Sequence, residues 1–209
     1  AHSHIFENFI NFIGIEKTLI ITDIDSCSLQ LVIDDNGNPK TDKKGNPKSE
    51  WKKCPPSDTE AKRTSNYSLL TFHNKTQDEL DYFKKLPIEN KTLKRDGNKW
   101  SSSKDGSLLI VYQIEEEGNY PRSFEDAFFH INKDFFSKSE FPSLTQKYLK
   151  QFRNDQITSY DFAEKGVNKK PSLAIEILLN SDQDKDGNEF SNWNVPQYIK
   201  EGLEWLAKN

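Results

Sequence analysis

The chain has 209 residues, of which 33% are hydrophobic and 30% charged, and its formal net charge is -4 at pH 7. This length and 14 phenylalanines predict one sizeable core rich in aromatic side chains. No apolar run approaches the roughly 18 residues that cross a bilayer, so the sequence predicts no transmembrane helix. The acidic balance excludes a generic nucleic-acid-binding surface, which needs Lys and Arg facing phosphates. A metal-dependent nuclease stays open, because its cation bridges protein and phosphate.

The two cysteines and the basic pairs add two expectations about the setting of the chain. Cys27 and Cys54 lie too far apart for a C-x-x-C metal or redox motif, which favours a reducing, cytoplasmic location. The pairs of adjacent basic residues are interpreted as solvated surface. These pairs are Lys52-Lys53, Lys62-Arg63, Lys84-Lys85 and Lys169-Lys170.

The first predicted elements are a helix over residues 1–16, ended by Gly14, and a buried strand that follows at once. The strand, Lys17 to Ile21, ends in Asp23 and Asp25, one residue apart. Ligands of open α/β sheets lie beyond the carboxyl ends of strands. Side chains alternate along a strand, so residues two apart point to the same side. The two carboxylates could therefore share a hard cation such as Mg²⁺. The alternative is a strand that stops in an Asp/Ser turn.

The middle of the chain predicts an insertion and then a second strand. Residues 34–60 contain Gly-Asn-Pro-Lys twice and are typical of a hairpin. Thr64-Ser65-Asn66 predicts a helix N-cap, with a second short helix over 77–86. Residues 91–106 are a polar loop or hairpin, and 107–113 are the second clear strand.

The last third of the chain is predicted to be mostly helical. Ser123 is a good N-cap that places Glu125 in the first turn of a helix. The C-terminal region, 140–209, is predicted to be helical, with helices near 144–152, 172–179 and 195–207. Strands that alternate with helices indicate an α/β fold with a mainly parallel sheet, flanked by helices and interrupted by hairpin and loop insertions.

One acidic segment imitates a calcium-binding loop. Residues 182–188 match the first seven positions of an EF-hand loop, whose carboxylates and glycine suit Ca²⁺. The eighth and twelfth positions of such a loop need an apolar residue and a bidentate Glu, but here they are Glu189 and Trp193. The sequence therefore favours an acidic surface turn, with a Ca²⁺ site as the alternative.

Five short motifs, taken in order, resemble the Toprim domain of the OLD (overcoming lysogenization defect) family of ATP-dependent endonucleases. The motifs are Leu19-Ile20-Ile21-Thr22-Asp23-Ile24-Asp25-Ser26, Cys54-Pro55 with Thr64-Ser65-Asn66, Arg122-Ser123-Phe124-Glu125-Asp126-Ala127, Lys170-Pro171-Ser172-Leu173-Ala174, and the tail from Val195 to Leu206. The resemblance runs nearly end to end, although each motif alone is weak. It implies a Toprim or Rossmann-like fold in a single domain, 1–209, that is truncated at its N-terminus.

The resemblance also implies a chemistry and a set of site residues. Asp23 and Asp25 would bind a divalent metal, Mg²⁺ or Mn²⁺, and Glu125 would contribute to a second metal site. Lys170 would lie near the scissile phosphate, and Arg122 is offered as a further phosphate contact. Such an enzyme cleaves or nicks DNA by two-metal hydrolysis. ATP would act through an upstream ATPase domain of the same protein, and several family members serve in phage defence.

Two departures from the family pattern limit these expectations. No strand ending in Glu precedes residue 17, since Glu7 falls within the predicted helix, and no Walker A motif occurs. The sequence is therefore interpreted as a C-terminal fragment that cleaves DNA weakly or not at all. A non-catalytic α/β regulatory or protein-interaction module is the main alternative, and a phospho-acceptor receiver domain fits the insertions badly. The oligomeric state stays open, with a homo-oligomer allowed.

Overall fold

The computed structural model describes residues 2–12, 15–97, 99–138 and 140–208. Contacts divide the chain into two compact units, which we call unit 1 (to Tyr112) and unit 2 (Gln113–Lys208). The single-domain boundary of 1–209 stays a prediction, because this division describes contacts and not independent folding. None of the helices in the described ranges combines the length and apolar character that crossing a bilayer requires.

Unit 1 contains three α-helices and seven strands within the described residues. In chain order they are α1 (Glu7–Phe12), β1 (Thr18–Ile21), β2 (Ser26–Leu31), β3 (Ser49–Lys53), β4 (Ala61–Thr64), α2 (Tyr67–His73), α3 (Leu80–Lys85), β5 (Thr92–Asp96), β6 (Lys99–Ser102) and β7 (Leu108–Val111), with 3-10 turns at Ser3–Phe6 and Ile88–Asn90. The predicted N-terminal helix is thus a 3-10 turn followed by α1, and its predicted end at Gly14 lies outside the described residues.

A four-stranded sheet in the order β1-β7-β5-β6 forms the core of unit 1. Strand β7 is buried along its whole length, as its continuous run of Leu, Ile and Val predicts. It pairs in parallel with β1, from Thr18 opposite Leu108 to Ile21 opposite Val111. It also pairs antiparallel with β5, which forms the predicted hairpin with β6. The α/β class is confirmed. The sheet is mixed and not mainly parallel as predicted, with one parallel pairing among its described strands, because β5 and β6 form a hairpin that joins β7 antiparallel.

A second sheet, in the order β3-β2-β4, is antiparallel and carries the predicted insertion. Its tip contains two successive tight turns of the pattern Asp-x-x-Gly-Asn. In the first, the Asp34 carboxylate accepts hydrogen bonds from the N–H groups of Asn36 and Asn38, at 2.9 and 2.8 Å. Asp42 does the same in the second turn, and the glycine of each turn has a φ of 84°. The repeated sequence is therefore a repeated turn, which supports the predicted hairpin.

The helices of unit 2 begin at Phe124, where the sequence predicts a helix after Ser123, and they continue through the predicted helical region to Ala207. They are α4 (Phe124–Ile131), α5 (Lys133–Lys138), α6 (Gln146–Arg153), α7 (Ser159–Gly166), α8 (Lys170–Leu179) and α9 (Gln197–Ala207). Helices α5 and α7 were not predicted. Phenylalanines dominate the core, with Phe162 lying 4.7 Å from Phe152 and 4.5 Å from Phe129 between ring centroids.

Candidate functional site

The two predicted metal-binding aspartates lie in a short loop between β1 and β2. We call residues 22–25 the acid loop. The parallel ladder continues into Thr22, whose N–H donates to the Val111 carbonyl at 3.0 Å, so the loop begins at the carboxyl end of β1. Asp23 and Asp25 are partly exposed, whereas Ile24 between them is fully buried. The burial of Ile24 anchors the loop and leaves both aspartates at the surface of unit 1.

Strand β1 ends at Ile21, so the aspartates do not follow strand alternation as the sequence predicted. Asp25 adopts a φ of 51°, in the left-handed region that Asp and Asn tolerate better than most residues. Such conformations cost free energy and persist only where the surroundings hold them. The relative direction of the two carboxylates is therefore set by this turn and its hydrogen bonds, and not by the pleat of a strand.

Polar groups at the end of β4 and just before α2 hold the backbone of the acid loop. The Thr64 hydroxyl donates to the Ile24 carbonyl at 2.6 Å, and the Ser65 N–H donates to the Asp25 carbonyl at 3.0 Å. The Asn66 side-chain amide donates to the Asp23 carbonyl and, at 2.8 Å, to the Thr22 hydroxyl. Three successive residues thus fix three successive loop carbonyls, an arrangement that leaves the loop little freedom.

Asn66 has two roles, because it also caps α2. Its side-chain oxygen accepts hydrogen bonds from the N–H groups of Ser68 and Leu69, at 3.0 and 3.2 Å. This confirms the predicted N-cap. The sequence analysis did not predict the second role, as a donor to the acid loop. A capping signal involves the side-chain oxygen and does not reveal what the side-chain nitrogen contacts.

Cys54 ties the second sheet to the residue that follows the acid loop. The Ser26 hydroxyl donates to the Cys54 carbonyl at 2.6 Å, and the Cys54 N–H donates to the Ser26 carbonyl at 3.3 Å. Both Cys27 and Cys54 are buried free thiols. Their burial gives these cysteines a packing role and leaves the acid loop braced from a second side.

Two further predicted site residues, Glu125 and Lys170, form an ion pair in unit 2. The Lys170 Nζ lies 2.8 Å from the Glu125 Oε1. The Glu125 side chain is 11% exposed and the Lys170 side chain 69%, so the carboxylate is sheltered and the ammonium faces solvent. Ser123 caps α4 as predicted, accepting from the Asp126 N–H at 3.3 Å, which places Glu125 in the first turn. The structure therefore brings together an acid and a base that were assigned separate roles.

Arg122, the predicted phosphate contact, is buried. Its side chain is 6% exposed, and its Nη1 lies 3.9 Å from the Glu164 carboxylate. Beside it, the Asp126 carboxylate accepts from the Arg122 N–H at 2.8 Å and from the Ser159 hydroxyl at 2.6 Å. Burial raises the pKa of Asp126, against the opposing effect of these donors. Phosphate binding by Arg122 stays a prediction, while its contacts describe a buried polar network.

The Glu125–Lys170 pair lines an apolar groove of about 400 Å³ in unit 2. Most of the other groove residues come from α4, α8 and α9. They are Phe124, Phe128, Leu173, Ala174, Ile177, Leu178, Trp193, Val195, Pro196, Ile199 and Leu203. Apolar walls strengthen the attraction within an ion pair, because they lower the local dielectric constant.

The predicted metal ligands are divided between the units, with Asp23 and Asp25 in unit 1 and Glu125 in unit 2. Within the described residues, no group of three or more His, Cys, Asp or Glu side chains is placed to hold a metal ion. Two carboxylates nevertheless fit Mg²⁺, which keeps several waters and commonly binds through one or two protein carboxylates together with substrate phosphates. The acid loop supplies two such carboxylates, those of Asp23 and Asp25.

The loop that imitates an EF-hand is a third Asp-x-x-Gly-Asn turn. The Asp184 carboxylate accepts from the N–H groups of Asp186 and Asn188, both at 2.9 Å, and Gly187 has the same φ of 84° as the glycines of the other two turns. Asp182 accepts from the Asn192 side chain at 3.1 Å. The predicted acidic surface turn accounts for the sequence pattern, since these carboxylates stabilise the turn itself.

Comparison with known proteins gives one distant similarity. No family model matches the chain, and no solved structure matches it. Endonuclease GajA of Bacillus cereus (strain HuB5-5) is 26% identical over 222 aligned residues, which cover 100% of this chain and 26% of that protein. The chain thus spans about a quarter of the length of the curated relative that it matches. Over its whole length, the chain is distantly similar to an endonuclease.

Proposed function

We propose that the chain is the metal-binding part of a DNA endonuclease, with Asp23 and Asp25 as the ligands of a divalent cation. The observation that carries the proposal is the acid loop: two partly exposed carboxylates in a loop whose backbone carbonyls are held by Thr64, Ser65 and Asn66. The similarity to an endonuclease over the whole chain supports the same assignment. Mg²⁺ or Mn²⁺ is the proposed cofactor, because carboxylate oxygens prefer hard cations.

In this proposal, the chain holds carboxylate oxygens in place, and the bound cation promotes phosphodiester hydrolysis. When bound, a divalent cation lowers the pKa of coordinated water and stabilises negative charge in phosphodiester hydrolysis. Asp23 and Asp25 hold carboxylate oxygens at the end of β1, and the hydrogen bonds to the loop carbonyls keep them in place. A rigid second layer matters, because the loss of such support commonly weakens metal binding about 10–100-fold.

Glu125 and Lys170 keep the roles that the Toprim resemblance gives them, as a ligand of a second cation and as a phosphate contact. Their ion pair supports a coupled role, since a phosphate oxygen that takes Lys170 would release the Glu125 carboxylate. The proposal extends to a longer ATP-dependent enzyme that has an upstream ATPase domain, cleaves DNA and serves in phage defence. GajA is about four times the length of the segment that it shares with this chain, which leaves room for such a domain there.

The test is Mn²⁺ binding by the 209-residue chain, measured by isothermal titration calorimetry and by electron paramagnetic resonance. The Asp23→Asn and Asp25→Asn variants each remove one negative ligand, so we expect Mn²⁺ affinity to fall at least about tenfold for each. Asp35→Asn is the matched control, because Asp35 is an exposed residue of the same unit and the change removes the same charge. Equal Mn²⁺ affinity in all three variants and the wild type would contradict the proposal.

Iron-directed cleavage locates the cation without any nuclease activity. Fe²⁺ with ascorbate and peroxide generates hydroxyl radicals at Mg²⁺ sites, which cut the polypeptide nearby. We expect cuts close to residues 23–25, and a second set near 125 if Glu125 binds a cation as the resemblance predicts. Cuts confined to residues 182–188 would support the calcium-loop alternative, and an absence of cuts near the acid loop would favour a non-catalytic interaction module.

A further inference from the structure

The second sheet of unit 1 extends directly from the acid loop, and we call residues 26–64 the arm. We propose that the arm binds the phosphate backbone of duplex DNA through Lys40, Lys43, Lys44 and Lys48 at its tip. This inference rests on the proposed function, because it identifies the surface that would guide DNA toward the acid loop.

Both ends of the arm meet at the acid loop. Strand β2 begins at Ser26, the residue after Asp25, and β4 ends at Thr64, whose hydroxyl binds the Ile24 carbonyl. A ligand held along the arm is therefore held at a fixed distance from Asp23 and Asp25.

The base of the arm is braced against bending. The Arg63 guanidinium of β4 lies 4.1 Å from the centre of the Trp51 ring of β3, so it bridges the two outer strands across β2. The same guanidinium pairs with Asp78 at 2.8 Å, outside the arm, and the Ser26 hydroxyl binds the Cys54 carbonyl at 2.6 Å. These contacts make the arm an extension of unit 1 and not a loose loop.

The tip presents lysines on a hydrogen-bonded frame. Lys40 N–H donates to the Val32 carbonyl at 2.7 Å, Lys48 N–H donates to the Lys40 carbonyl at 2.8 Å, and Val32 N–H donates to the Lys48 carbonyl at 2.9 Å. The backbones of Lys40 and Lys48 therefore meet around Val32. The two Asp-x-x-Gly-Asn turns fix the segments between and beside them, including Lys43 and Lys44.

The charge of the tip is opposite to that of the whole chain. Residues 34–48, which contain both turns, hold four lysines against three aspartates, a net charge of +1, whereas the whole chain has -4. Lys52 pairs with Glu50 at 3.3 Å. The four tip lysines are exposed and form no ion pair with any residue that the structure describes. Four exposed lysines without an ion-pair partner among the described residues can attract a polyanion locally, although the protein as a whole is acidic.

The length of the arm gives the length of DNA that it would span. Ser26 and Val32 are six residues apart, and an antiparallel strand rises about 3.4 Å per residue, which places the tip about 20 Å beyond the acid loop. Duplex DNA carries one charge per roughly 1.7 Å of its axis, or one base pair per about 3.4 Å. The tip would thus contact phosphates about six base pairs from the position next to Asp23 and Asp25.

The arm also has an apolar face that a protein partner could use. Leu29, Leu31 and Trp51 are 53%, 47% and 37% exposed, and Leu29 lies opposite Trp51 in the register. The charge at the tip favours DNA over a protein, because lysines are depleted from the core of protein interfaces. Docking of a protein is therefore an outcome of the test and not the proposal.

The test compares two quadruple variants that each remove four positive charges from unit 1. The tip variant carries Lys40→Gln, Lys43→Gln, Lys44→Gln and Lys48→Gln, and the control carries Lys85→Gln, Lys94→Gln, Lys99→Gln and Lys104→Gln, all at exposed positions. Binding to a labelled 20-base-pair duplex is measured by fluorescence anisotropy in EDTA over a range of salt concentrations. Unchanged circular dichroism and melting temperature establish that both variants are folded.

We expect the tip variant to bind DNA about 10–100-fold more weakly at low salt, and its salt dependence to lose a slope of up to about 3.6, since each phosphate contact contributes about 0.9. The control variant should lose much less DNA affinity and much less of the salt-dependence slope. Equal losses in the two variants would overturn the proposal. So would unchanged DNA binding in the tip variant, together with a change of self-association in Leu29→Ser/Leu31→Ser, which would identify the arm as a protein-docking surface.

A Mn²⁺ titration separates this proposal from the proposed function. The tip variant should keep the Mn²⁺ affinity of the wild type, because its lysines lie about 20 Å from the acid loop. Loss of DNA binding with intact Mn²⁺ binding supports the arm. Loss of Mn²⁺ binding in Asp23→Asn with unchanged DNA binding in the tip variant would leave the metal site standing and overturn the arm.

Discussion

The acid loop of unit 1 and the Glu125–Lys170 pair of unit 2 hold their carboxylates in different ways. In unit 1, polar groups of Thr64, Ser65 and Asn66 bind backbone carbonyls, so the loop is fixed independently of the aspartate side chains. In unit 2, the carboxylate is held by another charged side chain, and that side chain is mostly exposed. One arrangement fixes the backbone, and the other fixes only a pair of side chains.

This difference predicts unequal contributions to stability. Breaking a buried hydrogen-bond network leaves polar groups without partners away from water, which costs more than the bond itself contributes. An ion pair with an exposed partner contributes little, because water and salt replace the interaction when it is lost. The acid loop should therefore be rigid and sensitive to substitution, and the Glu125–Lys170 pair should exchange partners at small cost.

Asn66→Ala should show the largest effect. The substitution removes the cap of α2 and both hydrogen bonds that the Asn66 side-chain nitrogen makes to the acid loop, and it leaves the partly buried Asp23 carbonyl without this partner. Loss of a cap costs about 0.5–2 kcal/mol and an unsatisfied buried group about 1–3 kcal/mol, so we expect the free energy of unfolding to fall by about 2–4 kcal/mol. Urea denaturation followed by circular dichroism measures this change.

The matched control for this prediction is Asn90→Ala, because Asn90 is exposed and its side chain makes no hydrogen bond with the described residues. Its effect should stay within about 0.5 kcal/mol. If the acid loop carries the metal, Mn²⁺ affinity should also fall about tenfold or more in Asn66→Ala. An Asn66→Ala protein as stable as the control would contradict the view that these hydrogen bonds fix the loop.

Much of the fold could be predicted because local signals agree with it. The apolar run of β7, the caps Asn66 and Ser123, and the repeated turns of the arm each depend on residues close in sequence. The same holds for the EF-hand-like loop, where one missing ligand position favoured the surface turn that is observed. Helix α7 was missed because its short helical segment, Ser159–Gly166, mixes charged, aromatic and small residues.

The geometry of the candidate site was less predictable, because it depends on contacts between residues distant in sequence. Strand alternation was expected to orient Asp23 and Asp25. Instead, β1 ends at Ile21 and the turn at Asp25 determines the direction of the two side chains. The brace from residues 64–66 is separated from the loop by about 40 residues of the arm. The Glu125–Lys170 pair likewise joins residues of two helices, and no local sequence pattern predicts it.

His73 provides a third arrangement, a buried polar side chain that makes no hydrogen bond with the residues described. It lies against the rings of Tyr82 and Phe83, 5.9 and 5.5 Å between centroids. Burial, helped by the charges of Lys91 and Lys75, lowers the pKa of His73 from 6.5 to about 4. The unfolded chain therefore binds a proton more readily, so stability is lost as pH falls from about 6.5 toward 4.

We expect this single group to reduce the free energy of unfolding by about 2 kcal/mol between pH 7 and pH 5. His73→Phe keeps an aromatic side chain among aromatic neighbours and removes the titrating group. The variant should therefore lose about that much less stability over the same range. Urea denaturation of both proteins at pH 7, 6 and 5 measures the difference. If the free energies of unfolding of wild type and variant changed in parallel with pH, His73 would not be the cause of the loss of stability.

Lys170→Gln should have the smallest effect on stability. The ammonium is 69% exposed, so its removal should lower the free energy of unfolding by less than about 1 kcal/mol, although it leaves the sheltered Glu125 carboxylate without this ion pair. Lys165→Gln is the control, because Lys165 is 51% exposed and pairs with Asp161 in the same unit. Urea denaturation should give similar small losses of stability for both variants.

A loss as large as that of Asn66→Ala would mean that the apolar groove makes the Glu125–Lys170 pair structural, since breaking a buried ion pair costs about 3–5 kcal/mol. Glu125 could then not leave Lys170 easily, and a coupled exchange with a phosphate would lose its physical basis.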